Sequence, residues 1–213
     1  MMLFHLIRKD IIIVKKYVLI MVIAAIAIPP FMLWRAPEYT GILGFILSIM
    51  FSVFMLLQYV SLKEYQFPKA ATLLCATPFS RKMMVLSKYI FCIAMYMTCC
   101  IIFGIEALFI PGLGTFDVKI CMLMFLVVSV FISIYLPVQY KFGYEKTKFS
   151  FVVVIMASPF IFPQLLKMEN INIDFLSKTS SFAIYGSIVA FSLVVLTVSI
   201  LLSIKIYYDE DLA

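Results

Sequence analysis

The sequence predicts an all-α integral membrane protein: six transmembrane helices, an amphipathic helix before the first span, and a short cytoplasmic helix between spans two and three. Composition is the first observation behind this. Of 213 residues, 65% are hydrophobic and 13% charged, against roughly 45–50% and about 25% in soluble domains. Mean hydropathy is +1.12. Length is the second, because the chain holds about six apolar stretches of about 20 residues with short connections. No room remains for a second soluble domain, so 1–213 reads as one transmembrane domain. The third is charge placement. With the N-terminus inside, thirteen of the 17 Lys and Arg fall on the cytoplasmic side; Arg35, Lys119, Lys167 and Lys178 fall outside. That asymmetry predicts that both termini are cytoplasmic.

Residues 1–16 are predicted to form a basic amphipathic helix. Leu3, Ile7, Ile11 and Val14 lie on one face and His5, Arg8, Lys15 and Lys16 on the other, which suits a helix in the interface plane. A cleaved signal peptide is the rival reading. The apolar run leads into Ile28-Pro29-Pro30 with no small-residue cleavage site, so the segment is expected to stay. Span one is 17–34, its outer end broken or kinked by Pro29 and Pro30, with Trp34 and Tyr39 as interfacial anchors. Span two is 41–62.

The loop 64–82 is the longest stretch that is not plainly apolar. Pro68 suits a first helical turn and Pro78 a stop. Between them Ala70, Leu73, Leu74 and Thr77 fall at i, i+3, i+4 and i+7, on one face of a short helix. Lys69, Arg81, Lys82 and Lys88 surround it. A short helix with one apolar face and basic flanks, held on the cytoplasmic side between two spans, can press against a soluble partner.

Span three is 83–110, followed by the turn Pro111-Gly112-Leu113-Gly114. Span four is 119–140, a polar link covers 141–148, and span five is 149–166, bent by Pro159 and Pro163. A polar loop leads to span six, 181–207, and a short acidic tail.

Several chemistries are missing. None of the seven glycines opens a GxxxxGK[ST] phosphate loop, so the chain has no such route to ATP hydrolysis and holds no cofactor of its own. HExxH, GxSxG and paired intramembrane carboxylates are absent, so no catalytic residue is assigned. Cys75, Cys92, Cys99, Cys100 and Cys121 show no CxxC or Cys/His spacing and read as small buried hydrophobes, with no metal and no disulfide. The formal net charge of +6 marks loops beside anionic lipid and not a nucleic-acid surface, for which no aromatic-and-basic groove pattern exists. Glu106 is the one carboxylate well inside an apolar segment. Two readings of it stay open: a paired or hydrated group at the outer rim, or a lining for the path of a cationic substrate. Gln58, Gln139 and Gln164 suit hydrogen bonds between helices.

The run Thr77-Pro78-Phe79-Ser80-Arg81-Lys82, with Val85, Lys88 and Tyr89, resembles the LPxSRxxxVxxKY signature of ABC-2 type transporter permeases, with Thr77 standing where that family has Leu. Leu136-Pro137-Val138-Gln139-Tyr140-Lys141-Phe142-Gly143-Tyr144-Glu145-Lys146 is similar to a second pattern of that family, as is the ending Ser203-Ile204-Lys205-Ile206-Tyr207. The opening helix resembles the family's elbow helix. The resemblance covers nearly the whole chain. It implies a six-helix permease of the small bacterial exporters, in the cytoplasmic membrane, paired with a second copy or a sister permease. It also implies two separate ATPase subunits, which carry the ATP and magnesium. The helix within 64–82 is then the coupling helix, with Arg81, Lys82 and Lys88 gripping acidic residues of the ATPase. The alternative for these cations is anchorage to anionic headgroups. An amphipathic or antimicrobial peptide is the expected cargo. The alternative functions are a stand-alone secondary transporter, against which the few intramembrane carboxylates weigh, and a membrane immunity or scaffold protein.

Overall fold

The computed structural model describes residues 2–35, 40–67, 80–110, 113, 118–167 and 181–209. Six helices make up nearly all of them: α1 (Met2–Ile13), α2 (Lys15–Arg35), α3 (Thr40–Gln66), α4 (Arg81–Phe109), α5 (Val118–Lys167) and α6 (Ser181–Asp209). No strand occurs among the described residues. Five stretches are long and apolar enough to cross a bilayer: Lys15–Trp34, Gly44–Gln66, Arg81–Phe109, Ile120–Phe149 and Tyr185–Asp209. The chain is an all-α, multi-pass membrane protein.

α3 is the central element. Phe45, Ile49, Val53, Leu56, Leu57 and Val60 are all buried, because α2, α4 and α5 each pack against α3. The other long helices present Ile23, Ile101, Val198 and similar side chains outward. In a bilayer such side chains meet lipid at no cost, whereas exposed backbone polar groups would be expensive.

α2 runs through both prolines to Arg35, so Pro29 and Pro30 do not end it. A proline at 29 has no N–H for the carbonyl of Ala25. Ser48 Oγ of α3 faces that carbonyl at 3.5 Å and offers it a donor. The approach depends on Gly44, since a Cβ there would come within 3.3 Å of Pro29 Cα.

α1 turns one row of side chains into the bundle. Leu6, Asp10 and Val14 are buried, and Ile11, Ile12 and Ile13 are exposed. The exposed isoleucines are free to face hydrocarbon, and the inward row takes a carboxylate. Between α1 and α2, Val14 keeps the chain nearly continuous through Val14 N to Asp10 O and Val18 N to Val14 O, at 3.2 and 2.9 Å.

The link expected at 141–148 is helical. α5 continues from Val118 to Lys167 with one break, at Gly143, where φ is 76° and ψ is 171°. Only glycine adopts that conformation without strain, so one residue does the work expected of an eight-residue connection.

Candidate functional site

The polar side chains gather where α3 ends and α4 begins, the two stems of the loop that holds the predicted coupling helix. Lys69, Ala70, Leu73, Leu74, Thr77 and Pro78 of that helix lie outside the described residues. Their flanks do not. Ser80 caps α4, its Oγ accepting from Met83 N at 3.4 Å. Arg81 Nη1 donates to the carbonyls of Tyr207 and Tyr208 at 3.4 and 3.2 Å, and its guanidinium lies 5.7 Å from the Tyr208 ring centroid. These are last-turn carbonyls of α6, which lack helical donors and carry the negative end of the helix dipole. Arg81 therefore ties the start of α4 to the end of α6. Lys82 is exposed.

Lys88 departs from the expectation that placed it beside Arg81 and Lys82 on a surface open to a soluble subunit. It is only 7% exposed. The reason is helix phase: Val85, Tyr89, Cys92, Tyr96, Cys99 and Phe103 form the buried stripe of α4, and Lys88 falls one turn from Val85 and Cys92 within it. Its ammonium pairs with Glu64 near the end of α3 and sits 5.1 Å from the ring centroid of Tyr140 on α5, near enough for a cation–π contact.

Asp10 of α1 completes the cluster. It is 1% exposed. Lys9 Nζ stands 3.1 Å from its Oδ1, close enough for an ion pair but not aligned for a hydrogen bond. Burial raises the Asp10 carboxyl above its ordinary range. Lys9 opposes that shift, Glu64 adds to it and Lys88 opposes it. Glu64 and Lys88 thus bear on the Asp10 carboxyl electrostatically, and Lys9 is its ion-pair partner.

Further hydrogen bonds surround it. Ser61 Oγ of α3 lies 2.9 Å from Gln139 Oε1 of α5 and 2.8 Å from the Leu57 carbonyl, its one proton shared between them, so Gln139 does link helices. Ser199 of α6 donates to the Ser133 carbonyl of α5 at 2.8 Å. Its one proton is then used, so the Tyr89 hydroxyl, 2.6 Å away, donates to it and accepts from Ser203 at 2.8 Å. Tyrosine rings fill the same level: Tyr17 stacks on Tyr59 with centroids 3.8 Å apart, and Tyr140 meets Tyr207 at 5.3 Å. Tyrosine bodies with one wet end suit a membrane–water boundary.

Glu106 lies near the other end of α4. It continues the buried stripe after Cys99 and Phe103, at 8% exposure. Neither carboxylate oxygen has a hydrogen-bond partner among the described residues.

Sequence reasoning singled out neither Asp10 nor Glu64. The signal for Asp10 was its spacing, four residues from Leu6 and from Val14. For Glu64 it was a carboxylate two residues past the apolar run 41–62, on the same side as the basic loop.

A family model described as ABC-2 family transporter protein matches residues 5–208. No curated protein matches the chain, and no solved structure does.

Proposed function

The chain belongs to the ABC-2 family of transporter proteins, and from that membership we propose that it is the permease subunit of an ATP-binding cassette exporter. The observation that carries this reading is the family match across nearly the whole chain, residues 5–208. ATP and magnesium are bound by separate ATPase subunits, two per transporter. The permease acts in the bacterial cytoplasmic membrane as a pair, with a second copy or a sister chain.

Six spans and cytoplasmic termini complete the proposal. The inner ends of α3, α4 and α6 meet through Glu64, Lys88, Arg81 and Tyr207, and α6 is 29 residues long, which carries its start about 43 Å away. A return of the chain to the opposite side between Gly143 and Ser181 fits these lengths. The helical residues 149–167 are a natural fifth span, making six. α1 is the elbow helix.

The helix at 68–78 is the coupling helix. Ala70, Leu73, Leu74 and Thr77 seat in a groove of the ATPase, with Lys69, Pro78, Arg81 and Lys82 bordering it. Closure of the two ATPases on ATP pushes this helix, and the permease halves rock so that the path opens outward; drive requires that closure favour one permease conformation over the other. The cargo is an amphipathic or antimicrobial peptide. Glu106 lines its path for a cationic side chain. Normal export of a cationic peptide by Glu106→Gln would remove that role.

The test is affinity purification of the tagged permease. An ATP-binding subunit is expected to copurify, and Leu73→Asp with Leu74→Asp should strip it away while the permease still inserts and folds. A permease that exports without any ATP-binding subunit would be a stand-alone transporter, and one that only retains a toxin would be an immunity protein.

A further inference from the structure

We propose that Cys100 of α4 and Cys121 of α5 are a bridging thiol pair, a site of reversible oxidation whose disulfide pins the two helices together. The bridge stands apart from the permease reading above; its effect on ATP turnover rests on that reading.

Two contacts fix how α4 and α5 run past each other. Lys88 meets the Tyr140 ring, and further along α4 the Tyr96 ring meets Phe125 with centroids 5.7 Å apart. A step forward on α4 is a step back on α5, so the two helices are antiparallel. Cys100 lies one turn on from Tyr96, and Cys121 one turn back from Phe125. Residues four apart share a helix face, which puts the two cysteines at one level on facing sides. The Tyr96 hydroxyl spans the same gap, donating to the Cys121 carbonyl. That hydroxyl and the Cys121 thiol are both hydrogen-bond neighbours of the Cys100 sulfur.

Exposure singles out this pair among the described cysteines. Cys92 and Cys99 are buried, whereas Cys100 and Cys121 are partly open. The two thiols that an oxidant can reach are therefore the two that face each other. Hydrogen peroxide, small and uncharged, suits a site walled by apolar side chains. It converts one thiol to a sulfenic acid: an S–O bond forms, the O–O bond breaks and water leaves. The second sulfur then attacks the first. The S–S bond forms, the S–O bond breaks and a second water leaves, so the pair has given up two electrons and both thiol protons. A small dithiol reverses the step by exchange. A disulfide tolerates Cα separations of only about 4.4–6.8 Å. Once formed, it forbids α4 and α5 to slide or part at this level, and a transport cycle that moves one against the other stops.

The experiment treats the permease with its copurified ATP-binding subunits, in lipid nanodiscs, with hydrogen peroxide. Free thiols are then alkylated and the peptides mapped by mass spectrometry. A peptide pair linked through Cys100 and Cys121 is expected, with Cys92 and Cys99 unlinked. ATP turnover should be lost as the link forms and return with dithiothreitol. Cys100→Ser and Cys121→Ser should each keep turnover under peroxide, with unfolding midpoints that show them folded. Met97 is exposed, one turn before Cys100 on α4, and reports whether the oxidant arrived. Met97 sulfoxide without the Cys100–Cys121 link would overturn the inference, and so would a link from either cysteine to Cys92 or Cys99. A complete link that leaves turnover unchanged would overturn the lock. Absence of any ATP-binding subunit from the wild-type complex would instead bring down the permease reading, while the peptide map would still decide the bridge.

Discussion

A lysine at position 88 occupies a row that valine, cysteine and tyrosine otherwise fill, and it is stable there because Glu64 comes from the neighbouring helix. Replacing it by Met removes one partner of that pair. Glu64 is then left against an apolar wall, and stability should fall by about 3 kcal/mol. A third of the Glu64 side chain is open to solvent, which keeps the loss at the low end of the range for buried pairs. The midpoint of thermal unfolding in detergent reads this. Lys88→Met with Glu64→Leu should recover most of the loss, since both members of the pair become apolar and the Asp10 carboxylate keeps Lys9 as its partner. The partner of Lys88 was not legible from the sequence: phase places the lysine inward, but only the fold shows which carboxylate waits 24 positions earlier. Glu106 was legible, because a carboxylate deep in an apolar run stands out without any contact information.

The helices themselves were mostly legible, and their joints were not. Apolar runs gave the positions of α2, α3, α4 and α6 to within a few residues of the observed ends. The joint in α5 is hidden because Lys141, Glu145, Lys146 and Lys148 make the segment look like a loop. It is helix, and the turn is compressed into Gly143. Adding a side chain at this residue should therefore cost about 1–3 kcal/mol through the backbone alone. A Cβ placed there would meet no atom within 4 Å, so steric crowding adds nothing. Gly143→Ala is expected to lower the unfolding midpoint, while Gly186→Ala, also in open space but in a regular helix, should leave it level or slightly higher. Pro29 misleads for a related reason. Its lost hydrogen bond is replaced from another helix, by Ser48, and no local pattern announces that.

Across the molecule, polar contacts between helices concentrate at one end. Glu64, Lys88, Tyr140 and Arg81 join α3, α4, α5 and α6 at the same end of the bundle, the end proposed to lie in the cytoplasm. Lys and Arg counts bear on orientation but not on parity, and five helices among the described residues are long and apolar enough to cross a membrane, so the proposed sixth span calls for a topology test. A reporter active only in the cytoplasm, fused after Ala213, should be active, and the same reporter placed in the loop after α4 should be silent. An active signal at both places would mean an odd number of crossings.

The Arg81 contact with Tyr207 and Tyr208 has a genetic consequence. Those acceptors stand 126 and 127 positions after Arg81, distant in the gene from the codons for the loop. A stop codon just after Lys205 would remove both acceptors at the polar edge of α6, and would leave insertion intact. Its phenotype should nonetheless match that of an Arg81 missense allele, and second-site suppressors of either lesion should map to the same places.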